Sequence, residues 1–494
     1  MGRAREGKAM VPDLRVTPCN DLQVNPDGRF ILYWMTAFRR AAWNFALDRA
    51  VEWARLLGKP IVVLEALRCD YPFASERLHA FVLEGMAEND RAFAGKPILY
   101  YPYAEKEKGA GRGLLETLSQ EACVIVSDEF PCFFLPSMIR AAAEKVTAYM
   151  EKVDSNGLLP LRLSEKIFLS AYHFRRLAQK HLPLLVNQQP RSRPFAGVPI
   201  PQLSSLPRNI IERWPPLSRD ELKDARALVT GIPLGHDVKP VPCRGGSGAA
   251  RSTLEVFLRK KLPLYSTARN HPDRPAESGL SPYLHFGHIS SHEIVARVLK
   301  EQDWNPERLR EEAKGQREGW WGTEENTEAF LDQIITWREL GYQFCHKRSD
   351  YREYESLPGW ALKTLGEHAA DQRPALYTLE AFEKADTHDP VWNAAQRQLL
   401  EEGRIHNYLR MLWGKKILHW SRTPREGLRI MEALNNRYAM DGRDPNSYTG
   451  IFWVLGRHDR AWGPERPVFG KVRYMTSESA KRKVKMKEYF RKWG

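Results

Sequence analysis

Trp413 and Trp420 lie seven residues apart in a run, 404–420, whose apolar residues fall at helical spacing. Residues seven apart share nearly one helical face, with an axial rise of roughly 10 Å. Two indoles held in that way either fill a core or pass an electron. Gln333 and Trp337 are four apart, which sets an amide hydrogen-bonder beside a large flat ring on one face. Ile405, Tyr408, Leu409, Leu412, Trp413 and Trp420 form the apolar stripe of the 404–420 run, with Arg410 at its edge. The turn Asp441-Gly-Arg-Asp-Pro445 offers Asp441 as a carboxylate for an arginine such as Arg410. Met411 projects away from the stripe and needs a second apolar contact or exposure. Lys416 falls inside it and must snorkel or find an acceptor. Ser281-Pro282 reads as a helix start, a capping hydroxyl followed by a residue whose missing N–H costs nothing there. A glycine-containing turn into a helix N-terminus presents N–H groups to a phosphate, although most such starts bind no ligand.

The elements that must position these residues fall into two styles. In the first third, short apolar runs at 29–35, 60–66, 97–103, 122–127 and 145–150 alternate with helical patterns such as 41–57 and 74–93. That alternation predicts an α/β domain built on a doubly wound parallel sheet, over residues 20–180. It carries neither a GxGxxG fingerprint nor a P-loop. Prolines crowd 183–242, which reads as a connector draped over the surface, with a linker at 181–245. After Gly248 the pattern turns helical to about Trp453, so residues 246–494 are expected to form an all-α domain. The polar stretch 301–325, with Trp320-Trp321 inside it, reads as an exposed insertion. The tail after Met475 is rich in lysine and arginine.

A chain of 494 residues exceeds one hydrophobic core, so two or three domains are expected. With 43% hydrophobic and 28% charged residues it reads as soluble. Its longest apolar runs fall far short of the about 20 residues a membrane span needs. The basic first ten residues lack the apolar stretch of a signal peptide. Six scattered cysteines without a CxxC pair point to a reducing cytoplasm, with neither metal nor disulfide framework. The net charge of +14 suits either a polyanionic partner or a basic surface tuned for solubility. Fifteen tryptophans, most of them after residue 300, favour nucleic acid, because phosphates need cations and bases need flat faces.

Six stretches, in order, carry a resemblance: Ser278-Gly-Leu-Ser-Pro-Tyr-Leu-His-Phe-Gly287, Asp389-Pro-Val-Trp-Asn-Ala-Ala-Gln396, Arg410-Met-Leu-Trp-Gly-Lys-Lys-Ile-Leu-His-Trp420, Leu434-Asn-Asn-Arg-Tyr438, Asp441-Gly-Arg-Asp-Pro445 and Arg466-Pro-Val-Phe-Gly-Lys-Val-Arg-Tyr-Met475. Together they resemble the cryptochrome/photolyase family and, within it, the class II cyclobutane pyrimidine dimer photolyases. The likeness is close over about 250–476. It is looser at the N-terminus, where Ile31-Leu-Tyr-Trp-Met35 carries it.

The resemblance implies a photolyase-like α/β domain followed by a helical domain holding a U-shaped FAD. By similarity, Tyr265, Ser278, Gly279, Leu280 and Ser281 hold its phosphates. Arg410 and Asp441 are the ion pair beside the isoalloxazine, where a cation favours the anionic reduced form. Asn435 faces the flavin's polar edge and the lesion. Trp413, Trp392 and Trp420 are the chain that reduces oxidised flavin under light. Trp337 and Trp453 wall the lesion, Met411 is its apolar floor and Gln333 its hydrogen-bonder. Trp462 and Arg473 fill the hole left in the duplex, and a poorly stacked lesion is cheaper to extrude than an intact pair. The implied reaction is light-driven: excited FADH⁻ gives an electron to the dimer, the cyclobutane ring opens, and the electron returns. The implied partner is UV-damaged DNA and the implied state a monomer. An antenna chromophore in the N-terminal domain is compatible with the family, and no motif in 30–160 identifies one.

Two positions depart from the pattern. The family's lesion-contacting acid is normally glutamate, and here it is Gln333, as in (6-4) photolyases and cryptochromes. Against a (6-4) substrate, the chain has no adjacent His-His pair. Glu277 stands where relatives often have threonine, and an acid near phosphates is unhelpful unless it points away. The rival readings are a cryptochrome-like flavin photoreceptor, a (6-4) photolyase, and a tryptophan-rich nucleic-acid binder without flavin.

Overall fold

The computed structural model describes residues 11–235 and 238–494, so the basic first ten residues lie outside the described part. Contacts divide the chain into two compact units. The first takes residues up to Ser164, Leu184–Ser252 and Pro282–Arg297; the second takes Glu165–Pro183, Thr253–Ser281 and Val298–Gly494.

The first unit is built on six strands: β1 (Val16–Pro18), β2 (Phe30–Met35), β3 (Ile61–Leu67), β4 (Ile98–Ala104), β5 (Ala122–Asp128) and β6 (Tyr149–Val153), in the order β1-β6-β5-β2-β3-β4. All neighbours are parallel except β1, which runs antiparallel to β6. Every residue of β2 and β5 is buried, because helices cover both faces of a parallel sheet. One face packs Ile31, Tyr33 and Met35 against Ala46, Leu47 and Val51; the other packs Phe30, Leu32 and Trp34 against Leu118 and Ile139. The helices are α1 (Phe45–Leu57), α2 (Glu76–Phe93), α3 (Leu114–Glu121) and α4 (Leu135–Ala143). Asn44 caps α1 by accepting from Ala46 and Leu47, and Gly58, at φ 64°, ends it.

The strand expected at 145–150 lies instead at 149–153. Glu151 in its middle is fully buried, with Arg49 Nε at 2.7 Å and Trp53 Nε1 at 2.7 Å, and this buried charge masks the apolar signal. β1 is three residues long and too short for any periodicity to reveal.

The strand order reverses at β2 and β5, the place where open α/β sheets usually hold a ligand beyond the carboxyl ends of their strands. Here Asp128, ending β5, fills that role from within. Its carboxylate accepts from the main-chain N–H of Thr36 (2.8 Å), Ala37 (2.7 Å) and Phe38 (2.8 Å) and from the Tyr33 hydroxyl (2.8 Å).

The proline-rich segment does not drape freely. Leu206, Ile210 and Trp214 join the layer of Leu118 and Ile139, and Leu217, Leu222 and Val229 pack with Leu67, Val82 and Leu83. The segment expected as a linker at 181–245 largely coincides with Leu184–Ser252, which packs within the first unit.

The second unit is helical. It includes α5 (Ala171–Leu185), α6 (Pro390–Glu402), α7 (Asn407–Trp420), α8 (Pro424–Tyr438), α9 (Pro445–Val454) and α10 (Lys487–Trp493). Its core joins Trp392, Leu409, Trp413, Ile417, Leu434, Phe452 and Trp493. Three of these helices start alike, at Asp389-Pro390, Thr423-Pro424 and Asp444-Pro445, each with a capping side chain before a first-turn proline.

The 301–325 stretch is largely exposed, as expected, yet it is tied down at a few points. Trp320 and Trp321 are buried, Trp304 donates its indole N–H to the Trp321 oxygen at 2.7 Å, and Glu328 accepts from the Trp321 N–H at 2.8 Å. Gln179 of α5 accepts from Gly315 at 2.7 Å and donates to Gln316 at 2.9 Å. The docking runs through main-chain groups and two rings, so the polar composition concealed it. Among the described residues no helix is long and apolar enough to cross a membrane.

Candidate functional site

Trp413 and Trp420 do not stack on each other. An axial rise of roughly 10 Å exceeds the about 4.5–7 Å at which aromatic rings interact, so a third ring is needed. Trp392 of α6 supplies it. It lies parallel to Trp413 (centroids 6.4 Å apart, 6° between planes) and edge-on to Trp420 (6.3 Å, 69°). All three are buried. The Trp392 indole N–H donates to the Trp413 main-chain oxygen at 3.0 Å, and the Trp413 N–H to Gln396 Oε1 at 2.9 Å. Beyond Trp420 lie Tyr377, at 5.6 Å, and His388, at 4.9 Å, and the two are bonded to each other at 2.6 Å.

Lys416 finds its acceptor in Asp389 Oδ2 at 3.1 Å, and its ammonium also lies 5.0 Å from the Trp420 ring centroid. Burial pushes the Asp389 carboxyl up, but the Ser477 hydroxyl and the Lys416 ammonium outweigh it and hold it below the ordinary range. At Gly414 an added Cβ would stand 2.5 Å from a Val454 methyl, so glycine lets α7 approach α9 there. Lys415, at 1% exposure, donates to the Val454 oxygen at 2.5 Å, and burial lowers its pKa to about 7. Met411 is half-buried against the main core cluster rather than fully turned out.

Arg410 and Asp441 come together loosely, with N···O distances of 3.4–3.5 Å and side chains 29% and 11% exposed. These separations exceed an ordinary N–H···O bond. Asn435 of α8 donates to the Ser447 hydroxyl of α9 at 2.7 Å.

In the 278–281 turn, Ser278 Oγ accepts from the Leu280 N–H at 3.3 Å, and Gly279 takes φ 71°, which favours glycine. The N–H groups of Gly279 and Ser281 donate to nothing among the described residues. The helix that follows, Ser281–His285, is five residues long, so its dipole is weak. Tyr265 is buried, with the Arg269 guanidinium 5.3 Å from its ring centroid. The Glu277 carboxylate is engaged by the start of α7. It accepts from the Asn407 N–H at 2.9 Å and lies 3.3 Å from His406 Nε2.

Gln333 and Trp337 sit in a π-helical turn, Asp332–Trp337, anchored where Arg175 grips Asp332 at 2.7 and 3.1 Å. Such turns recur at functional sites, and a 3.6-residue period cannot disclose one. The Gln333 amide makes no hydrogen bond among the described residues. Trp337 and Trp453 form one stack, with centroids 5.1 Å apart and planes at 23°, rather than two walls with room between. The buried Trp453 N–H has no partner among the described residues. Trp462 is bracketed by Arg473 (5.1 Å) and Arg460 (4.6 Å) and bonds Asp459 at 3.2 Å. Among the described residues no group of three His, Cys, Asp or Glu is arranged to hold a metal. Sequence reading missed Gln396, Lys415 and Arg460. Only Gln396 was signalled, by its spacing of four from Trp392.

No family model matches the chain. The deoxyribodipyrimidine photo-lyase of Methanothermobacter thermautotrophicus is 34% identical over 482 residues, spanning 97% of this chain and 98% of that one. The chain belongs to the deoxyribodipyrimidine photo-lyase family. The Arabidopsis thaliana photo-lyase is 32% identical over 93% of this chain and 88% of its own, and that of Potorous tridactylus 29% identical over 96% and 82%. These near-full-length relatives include class II photolyases. A class III photolyase from Agrobacterium tumefaciens shares the fold, with a TM-score of 0.66 over 94% of this chain and 86% of that one at 18% identity. As a photolyase the chain is a DNA-repair lyase, and the three indoles, the Arg410–Asp441 pair and the 278–281 turn all lie in its helical unit.

Proposed function

We propose that this photolyase repairs cyclobutane pyrimidine dimers in DNA under light, with FAD held in the helical unit. The carrying observation is that three indoles, with Trp392 of α6 adjoining both Trp413 and Trp420 of α7, form one row, and α7 also bears Arg410, paired with Asp441. The donor set fits a flavin. The loose Arg410–Asp441 pair leaves guanidinium N–H donors and a carboxylate to offer, and Gly279 and Ser281 carry unused N–H groups suited to a phosphate. The reduced flavin, when bound, supplies the photoexcited electron that opens the cyclobutane ring. Arg410 balances negative charge beside it. Asn435, oriented by Ser447, presents its amide to the same region, and Tyr265 with residues 278–281 holds the phosphate end. Gln333 donates its free amide to a pyrimidine carbonyl. Trp337 and Trp453 offer the outer faces of their stack to the lesion, because a base between them would need about 7 Å, twice the stacking interval. Met411 closes the floor, and Trp462, Arg460 and Arg473 occupy the gap in the duplex.

Purified enzyme, dimer-bearing DNA and blue light test the reading. Dimers should disappear only under illumination, and denaturation should release FAD. A colourless preparation that takes up no FAD, or dimers that persist in the light, would overturn it. Flavin reduction without repair would favour a photoreceptor.

A further inference from the structure

Gln396 lies four residues beyond Trp392 on α6 and is 0% exposed. Its amide meets two groups of opposite character. Nε2 donates to the Glu383 main-chain oxygen at 3.3 Å, and Oε1 accepts the Trp413 indole N–H at 2.9 Å. A carbonyl can only accept and an indole N–H can only donate, so chemistry fixes which way the amide points. Closing both bonds requires a side chain that donates at one end and accepts at the other. Trp392 donates to a peptide oxygen. The first two indoles of the row are thus each bonded to a neutral oxygen of negligible basicity. Trp420 differs, for its indole N–H makes no hydrogen bond among the described residues.

We propose that Gln396 is a positioning residue for electron transfer, which holds the Trp413 ring parallel to Trp392 and keeps the proton on its nitrogen while the ring is oxidised. The proposal rests on the flavin-dependent reading above. Trp413 gives one electron to photoexcited oxidised flavin and becomes a radical cation. Trp392 returns an electron to Trp413, Trp420 returns one to Trp392, and an external thiol refills Trp420. One electron leaves the thiol, which becomes a thiyl radical and gives its proton to solvent, one electron arrives at the flavin, and no N–H bond breaks at Trp413 or Trp392. Positive charge on the ring strengthens its N–H···O bond, so the Gln396 oxygen favours oxidation of Trp413 without taking its proton. A carboxylate in the same place would take that proton. The neutral radical left behind would have to be reprotonated before Trp392 could refill it, and the row would stall.

Flash excitation of the enzyme carrying oxidised flavin tests this, with transient absorption to separate protonated from deprotonated tryptophanyl radicals. The parent should give protonated radicals at Trp413 and Trp392, with a yield flat from about pH 6 to about pH 9. Gln396→Leu removes the acceptor and should lower the yield of oxidised tryptophan about tenfold, the scale of a hydrogen bond to a charged group. Gln396→Glu, as the neutral acid, can bridge like the amide. It should match the parent at low pH and lose transfer to Trp392 as the carboxyl ionises. In the dark, the nitrogen-15 indole resonance of Trp413 should move in Gln396→Leu and hold its place in Gln396→Glu at low pH. Repair by chemically reduced enzyme should persist in both variants, since it does not draw on the row. Parent-like yields in Gln396→Leu with a flat pH profile in Gln396→Glu would overturn the proposal. Unimpaired photoreduction in Trp413→Phe would instead bring down the electron-transfer reading beneath it.

Discussion

Gly414, Lys415 and Lys416 are consecutive in α7, yet each answers a different group: the Val454 side chain at a close helix crossing, the Val454 carbonyl and the Asp389 cap. The sequence places Lys416 inside an apolar stripe and so demands an acceptor, but names none, because Asp389 lies in another helix. Lys415 gives no signal at all, since its neighbours in the chain are ordinary. Its ammonium falls from an ordinary 10.5 to about 7 through burial. Below about pH 7 the fold carries a buried charge; between 7 and 10.5 it sheds a proton that the unfolded chain keeps, so stability rises with pH across that window. Lys415→Met should therefore melt several degrees above the parent near about pH 6, with the gap narrowing by about pH 9; a gap that ignores pH would show the lysine is not buried as a cation. At Gln333 the free amide can donate to a pyrimidine carbonyl but cannot share a proton with charge that develops there. Gln333→Glu should raise repair per absorbed photon up to about twofold at similar affinity for dimer DNA. Equal quantum yields would count against that role.

The start of α7 shows how an element can be anchored from far away. The apolar run begins at 404, but the helix begins at Asn407, and the His406 side chain caps nothing. The acceptor for the Asn407 N–H is Glu277, 130 positions earlier. Local capping rules read neighbours in sequence and cannot find such a partner, which is why Glu277 looks misplaced when judged against a phosphate site. Glu277→Ala should lower unfolding free energy by about 1–2 kcal/mol, as loss of a helix cap does, with Glu277→Gln recovering most of it. Urea denaturation followed by far-UV circular dichroism measures this. The strands show the opposite case. β2, β3 and β5 are legible because burial on both faces makes them nearly unbroken apolar runs, whereas β6 hides behind a buried glutamate and β1 is too brief to signal.

At the scale of the whole molecule, the two fold styles are legible from patterning, while the way the chain shares itself between units is not. Proline density marks a break in regular patterning, and the segment at 184–252, with its short helices, still packs into the first unit. The charge of +14 belongs to this scale too. Affinity for undamaged DNA should fall linearly on a log–log plot against salt, with a slope of about −0.9 for each phosphate neutralised. Arg473→Ala should flatten that slope by about one, and an unchanged slope in a filter-binding titration would remove Arg473 from the phosphate contacts. The Asp128 carboxylate carries one more implication. Three amides that could have greeted an outside phosphate already have a permanent tenant, chained to the same sheet. Any pigment lodged in this half of the protein must therefore settle somewhere other than the berth a dinucleotide takes in sheets of this winding.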